Sequence, residues 1–320
     1  MRIIVIGCLG SMGRRRIRNL KALGYTDIVG YDIVAYEKAK PDCWYTDMLD
    51  ETENFLENPT GTYKKVDAII VSAPPLQKQK YIDLANKYNV ACFTEADVTE
   101  YTGNYYSSAT LRHHPAIQKI KELLDGGELG KVYTFTYHMG QSLYDWHPNC
   151  NMKTYYAAQK ESGACREMFC FEMSWLSYLF GDLKCCTGVI DRKLNDIDIS
   201  ADDVYCSCLR FKNVTGTVLI DVVSRPAIRE LRIVCECGFI EWNWNDDCIF
   251  IRRANEQDGI ISFDKGTAAE GYHPAITEKM YEEEIKNFVA AIQGKEQYLY
   301  SREEEKQVIK MLEMFENSDL

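Results

Sequence analysis

The chain opens on a short β-branched run, Arg2-Ile3-Ile4-Val5-Ile6, which passes directly into Gly7-Cys8-Leu9-Gly10-Ser11-Met12-Gly13 and then into a helical pattern. A strand, a glycine turn and a helix start in that order make a phosphate site. Glycines let backbone N–H groups approach a pyrophosphate, and the helix N-terminus supplies a positive dipole end. Ile17, Leu20 and Leu23 recur at helical spacing, and Gly24 is placed to stop the helix. A second strand, Asp27-Ile28-Val29-Gly30-Tyr31-Asp32, follows. It ends in an acid about twenty residues past the turn, where a carboxylate accepts hydrogen bonds from an adenosine ribose. The segment therefore predicts a dinucleotide site built on Gly7, Leu9, Gly10, Ser11, Met12, Gly13 and Asp32. The spacing is G-x-x-G-x-x-G, with Cys8 in the first glycine slot, so Gly7 is expected to take the tight turn. Asp32 favours NAD over NADP because a carboxylate repels a 2′-phosphate. Arg14-Arg15-Arg16, just past the turn, is the opposing signal.

Composition narrows the partners. At 320 residues the chain is long enough for two domains with full cores. A net charge of -11 argues against nucleic acid and anionic membranes as partners. The first strand begins at once, so no export leader is expected, and the expected location is cytoplasmic. The most apolar helical stretch, Met168 to Gly181, is too short to span a bilayer and contains Glu172. Thirteen cysteines without C-x-x-C spacing read as reduced, buried, small hydrophobes. His147 and Cys150 have no clustered co-ligands, and no metal is expected.

Strand and helix alternate through the first ~115 residues, the mark of a parallel doubly wound sheet. Val66 to Ser72 reads as a buried strand ended by Ala73-Pro74-Pro75. A helix over 76–88, a strand from Val90 to Thr94 and a helix opened by Pro115 and closed by Gly126-Gly127 follow. From Val132 onward strands dominate, near 132–138, 185–190, 203–211, 215–224, 229–236 and 238–244, and short turns between them indicate an antiparallel sheet. Helices over 274–293 and 302–317 close the chain. The expected fold is α/β: a Rossmann domain over 1–115 and an α+β domain with a large, open, mostly antiparallel sheet over 116–320.

With these pieces in place the chain resembles the Gfo/Idh/MocA oxidoreductases. The resemblance rests on Gly10-Ser11-Met12-Gly13-Arg14-Arg15, Asp32, Ser72-Ala73-Pro74-Pro75, Glu95-Ala96-Asp97, Leu111-Arg112-His113-His114-Pro115, Gly127 to Gly130 and Met280 to Phe288, in this order. It implies NAD or NADP and the oxidation or reduction of a sugar, inositol, sugar nucleotide or related polyol carbon. It adds Ser72, Ala73, Pro74, Pro75, Glu95, Ala96 and Arg112 to the cofactor residues. It also implies a homodimer or homotetramer formed through the C-terminal sheet. Two departures stand out. The family's Glu-Lys-Pro matches Glu95-Ala96-Asp97, so its lysine is absent. Its Asp-x-Gly-x-His falls on Glu167-Met168-Phe169-Cys170-Phe171, so its histidine is replaced by Phe171.

Replacement chemistry is sought in two segments. Gln141-Ser142-Leu143-Tyr144-Asp145-Trp146-His147-Pro148 offers His147 and Tyr144 as proton carriers, with Gln141 and Asp145 as substrate contacts. In the second segment, Met168, Phe171, Trp175, Leu176 and Leu179 read as one apolar helix stripe with Glu172 in its middle. Glu172 is then either a desolvated general acid or the partner of a buried arginine. Glu167 matches the family's aspartate, and Arg166 suits a substrate carboxylate or phosphate. Glu282-Glu283-Glu284 reads as a solvated helix face, and His113 and His114 as partly exposed packing residues. Three functions fit: an NAD-dependent oxidoreductase, an NAD-binding protein without net redox turnover, and NAD-assisted elimination or glycoside cleavage.

Overall fold

A computed structural model describes residues 1–57, 65–146, 151–270 and 274–318. The chain divides into two compact units, Met1–Thr110 with Glu278–Arg302, and Leu111–Thr277 with Glu303–Leu320. This division differs from a single boundary at residue 115, because α7 (Lys279–Ile292) returns to the first unit.

The first unit is built from β1 (Arg2–Ile6), α1 (Ser11–Ala22), β2 (Asp27–Tyr31), β3 (Trp44–Thr46), α2 (Leu49–Glu57), β4 (Val66–Val71), α3 (Pro75–Lys87), β5 (Ala91–Thr94), β6 (Tyr106–Ser107) and α7. Its strands are all parallel, in the order β3-β2-β1-β4-β5-β6. β-branched residues line both faces of the central strands. Ile3, Val5 and Ile70 pack on one side with Ile285 and Phe288 of α7, and Ile4, Ile6 and Ile69 pack on the other. Apolar burial on both faces is what continuous hydrophobic strands require. The strand order reverses between β1 and β4, which opens a crevice at their carboxyl ends.

The second unit holds α4 (Pro115–Gly126), β7 (Val132–Gly140), the single-turn α5 (Leu143–Trp146), α6 (Ala164–Phe180), β8 (Leu183–Asp191), β9 (Val204–Phe211), β10 (Thr215–Asp221), β11 (Ile228–Cys235), β12 (Gly238–Asn243), β13 (Cys248–Arg253), β14 (Gly259–Ser262) and most of α8 (Arg302–Glu316). Eight strands form one sheet, β14-β13-β12-β11-β7-β10-β9-β8. Every neighbouring pair is antiparallel except β7 and β10. Helices cover one face through aromatic contacts: Phe135 on Phe180 at 4.4 Å, Tyr137 on Trp175 at 5.1 Å. No helix among the described residues is long and apolar enough to cross a membrane.

Several readings of the sequence are corrected. Strands β3, β6, β13 and β14 were not expected, because short strands carry too little periodicity. The buried face of α6 centres on Phe169, Glu172, Met173 and Leu176, and Met168 and Phe171 lie at its edge. Cys185, Cys206, Cys208 and Cys237 are exposed. Cys206 and Cys208 alternate onto the side of β9 that no helix covers. His113 and His114 are buried. So is Glu284: its carboxylate accepts hydrogen bonds from Ser108 Oγ, the Ala109 amide and Thr110 Oγ1, and it pairs with Arg16 at 2.9 Å. A helix face turned onto a buried arginine reads, by composition alone, like a solvated one.

Candidate functional site

The glycine turn between β1 and α1 sits at the crevice of the parallel sheet. Gly7 has φ +72°, and a Cβ there would lie 2.6 Å from the Ser72 carbonyl oxygen, so the turn closes against the end of β4. A Cβ on Gly13 would fall 2.1 Å from the Gly7 carbonyl oxygen, which lets the first turn of α1 nestle into the loop. Gly7 thus performs the tight turn, and Cys8 buries its thiol in the core beneath. No side chain caps α1, and its first turn has no acid. A helix start left in this state attracts an anion.

Asp32 follows β2 at the same edge. Its Oδ2 accepts the Leu9 amide at 3.1 Å and its Oδ1 the Ile33 amide at 2.8 Å, so the carboxylate is oriented by the glycine turn itself. A carboxylate retains further lone pairs for hydroxyl donors. The three arginines after the turn are all engaged. Arg14 donates to the Leu9 and Lys40 carbonyls, each at 3.0 Å, and pairs with Asp42 at 2.9 Å. Arg15 pairs with Glu278 at 3.0 Å, and Arg16 with Glu95 and Glu284.

The ends of β4 and β5 complete this edge. Ser72 Oγ donates to Glu95 Oε1 at 3.0 Å, Pro74 occupies the N-cap of α3, and Pro75 opens that helix. Burial works to raise the Glu95 carboxyl, but Arg16 holds it below its ordinary value. Lys78 was not foreseen by sequence reasoning. Its buried ammonium donates to the carbonyls of Glu95 and Ala96 at 3.0 and 3.1 Å and pairs with Asp97 at 2.9 Å. A lysine from α3 therefore braces the loop from Glu95 to Asp97. Gly7 through Gly13, Asp32, Ser72 to Pro75, Glu95 and Ala96 all lie at the carboxyl edge of one sheet.

Arg112 lies in the second unit. It is buried, donates to the Ser174 carbonyl at 2.7 Å and pairs with Glu304 at 2.8 Å. Glu172 is fully buried. It accepts Tyr137 Oη and Trp175 Nε1 on one oxygen and pairs with Arg229 on the other, each at 2.6 Å. Of the two readings of this carboxylate, the structure shows the buried ion pair. Burial drives the Tyr137 hydroxyl well above its ordinary pKa, so it stays a donor. At the start of α6, Arg166 pairs with Glu316 at 2.6 Å, and Glu167 Oε1 accepts Tyr156 Oη at 3.2 Å.

The loop after β7 places Tyr144 Oη on Asp196 at 3.0 Å and Asp145 on Arg225 at 2.8 Å, and the Gln141 carbonyl accepts Trp146 Nε1 at 3.2 Å. His147 and Cys150 lie outside the described residues. Beside this loop is a pair that sequence reasoning missed. His138 Nε2 meets Asp221 Oδ2 at 2.8 Å. Asp221 Oδ1 accepts the Val223 and Ser224 amides at 3.0 and 2.7 Å. Burial raises the Asp221 carboxyl, yet the His138 bond and these amides keep it below its ordinary value. An ionised Asp221 makes His138 Nε2 the protonated nitrogen and leaves the lone pair on Nδ1. Gly140 makes room, since a Cβ there would lie 2.6 Å from Asp221 Oδ2. The two residues are 83 positions apart and meet through the parallel β7–β10 register, so no local pattern announces them. Among the described residues no cluster of three or more His, Cys, Asp or Glu side chains could hold a metal ion.

No curated protein sequence matches the chain. Solved structures do match its fold. An NAD-binding oxidoreductase from Klebsiella pneumoniae superposes with TM-score 0.80 at 16% identity, covering 99% of this chain and 96% of the other. An oxidoreductase from Agrobacterium radiobacter, in complex with NAD+, L-tartaric acid and magnesium, superposes with TM-score 0.78 at 12% identity, covering 99% and 96%. Levoglucosan dehydrogenase in complex with NADH and levoglucosan gives TM-score 0.76 at 16% identity, again covering 99% and 96%. The family model described as the GFO/IDH/MocA C-terminal domain matches residues 117–241. The motif resemblance is thus matched over residues 117–241, where the second unit is similar to the C-terminal domain of Gfo/Idh/MocA proteins.

Proposed function

We propose that the protein is an NAD-dependent oxidoreductase acting on a small polyhydroxylated substrate. The observation that carries this reading is the glycine turn at the sheet's switch point, with Asp32 held on its Leu9 amide. Backbone closes the spaces a Cβ would fill at Gly7 and Gly13, so the turn needs glycine there, and the uncapped start of α1 offers its amides to a pyrophosphate. Asp32 fits a free ribose 2′-hydroxyl, and the pairing of Arg14 with Asp42 leaves little welcome for a 2′-phosphate. The nicotinamide supplies hydride transfer at its C4 when bound. Two of the matched structures are complexes, one with NAD+, L-tartaric acid and magnesium and one with NADH and levoglucosan, and they support this cofactor and substrate class.

On this reading His138 takes or gives the proton at Nδ1, with Asp221 fixing its tautomer through the Nε2 hydrogen bond. Tyr144, beside the same loop, contributes a hydroxyl, and His147 follows it in sequence. Glu172, enclosed by three donors, serves the fold. Lys78 keeps the loop at Ala96 in place although the family's lysine is gone.

The test is a thermal melt with NAD(H) and NADP(H), followed by turnover assays on sugars, inositols, sugar nucleotides and hydroxy acids. Ligand at ~100 times its Kd adds about 2.7 kcal/mol of stability. No melting shift with either dinucleotide sinks the reading. A shift with NAD(H) and no turnover across the panel favours the second reading, a dinucleotide-binding protein without net redox chemistry, for which the replacements at Ala96 and Phe171 speak.

A further inference from the structure

Gly30, in the middle of β2, is flanked by two thiols. A Cβ on this residue would lie 2.8 Å from Cys8 Sγ and 2.8 Å from Cys43 Sγ. The two sulfurs are therefore within twice that distance of each other, over a residue whose missing side chain makes the space. Cys8 belongs to the core cluster beneath α1, and Cys43 packs against it. Both are free thiols; Cys8 is buried and Cys43 half-buried. Cys8 lies inside the glycine turn, between Gly7 and the Leu9 whose amide Asp32 holds. Cys43 immediately precedes β3. Arg14 already ties the same two segments, donating to the Leu9 carbonyl and pairing with Asp42.

We propose that Cys8 and Cys43 are a thiol-modification site, in which a peroxide converts the pair to a disulfide that lowers affinity for the dinucleotide. Cys43, the more accessible, reacts first. Its sulfur takes one oxygen from hydrogen peroxide, forming a sulfenic acid and releasing water. The Cys8 sulfur then displaces that hydroxyl, the S–O bond breaks, the S–S bond forms, and the Cys8 proton leaves with the hydroxyl as a second water. Two thiols lose two electrons and the peroxide gains them. Burial pushes the Cys43 thiol up to about 11 and Cys8 further still, so the reaction is slow at neutral pH and speeds up as pH rises.

The bond needs sulfurs about 2.0 Å apart. Closing the gap draws the segments that carry Cys8 and Cys43 together, and Cys8 sits in the turn whose Leu9 amide Asp32 holds, so the proposed bond strains the dinucleotide site. Loss of dinucleotide affinity rests on the proposed function; the disulfide does not.

The whole protein, reduced, is treated with hydrogen peroxide at about pH 9, where thiolate is more abundant. It is then alkylated, digested and mapped by mass spectrometry, and NADH binding is titrated by fluorescence. The expected result is a Cys8 peptide linked to a Cys43 peptide with loss of two hydrogens. NADH affinity should fall at least tenfold and return with dithiothreitol. Cys43→Ser should bind NADH like the reduced wild type and keep that affinity after peroxide. Full alkylation of both cysteines after peroxide overturns the site, and linked peptides with unchanged NADH affinity overturn its effect. The wild-type map decides the disulfide even where Cys43→Ser fails to fold. Reduced protein that binds neither NADH nor NADPH sinks the proposed function, and the affinity effect with it.

Discussion

Arg16 grips Glu95 with two parallel hydrogen bonds, Nε to Oε1 at 2.8 Å and Nη2 to Oε2 at 2.7 Å. The same guanidinium reaches Glu284 of α7 at 2.9 Å and lies against the Phe93 ring. One buried cation thus joins α1, the end of β5 and α7, and it places Glu95 at the crevice of the sheet. Arg16→Met leaves two carboxylates without their charge partner. It should cost about 3–5 kcal/mol of folding free energy by urea denaturation. A loss under 1 kcal/mol would mean that the carboxylates find other partners.

Arg16 also sets a pH dependence. Because Glu95 is held below its ordinary value in the fold, the stability it contributes is fully present above the unfolded value of 4.5 and is lost as pH falls through the lowered folded value. Urea midpoints measured from pH 6 down to 3 should fall for the wild type. The fall should be shallower in Glu95→Gln, which has no carboxyl to titrate.

His114 gives a second pH window. Its Nδ1 accepts the Ala116 amide at 3.2 Å, and the ring stacks on Trp244. Burial first, then Arg229 and Lys265, push its pKa down to about 3. Below the ordinary value of 6.5 the unfolded chain binds a proton that the folded chain refuses. Stability is therefore complete above pH 6.5 and declines toward pH 3, by up to ~1.4 kcal/mol per pH unit. His114→Asn keeps a capping acceptor and should flatten that part of the profile. An unchanged slope would assign it elsewhere.

In the second unit, Glu172→Leu leaves Arg229, Tyr137 and Trp175 without their shared acceptor. A loss of about 3–5 kcal/mol is expected. Adding Arg229→Met should recover part of it, since removing both charges is gentler than stranding one. A double variant no more stable than Glu172→Leu would show that Arg229 is not the stranded group.

Once a substrate is identified, Asp221→Asn and His138→Asn should each lower kcat by roughly 10²–10⁴-fold, with melting temperatures near the wild type. In Asp221→Asn the ring loses the carboxylate that accepts from Nε2, so the nitrogen offered to substrate is no longer fixed. Unaltered turnover in both variants moves the proton to Tyr144 or His147.

The sequence by itself determined the parts whose geometry is local. Strand, glycine turn, helix and terminal acid are written contiguously from Arg2 to Asp32, and each is dictated by neighbours a few positions away. The mostly antiparallel second sheet was legible as well, because alternation and short turns repeat along the chain. The tertiary structure alone decided what depends on distant partners. It turned Glu284 from a solvent-facing acid into the buried partner of Arg16. It gave Glu172 to Arg229, set Lys78 under the loop at Ala96, and brought His138 to Asp221 across the parallel β7–β10 pair. A buried charge is stable only beside its counter-charge, and here those partners come from elements far apart in the chain.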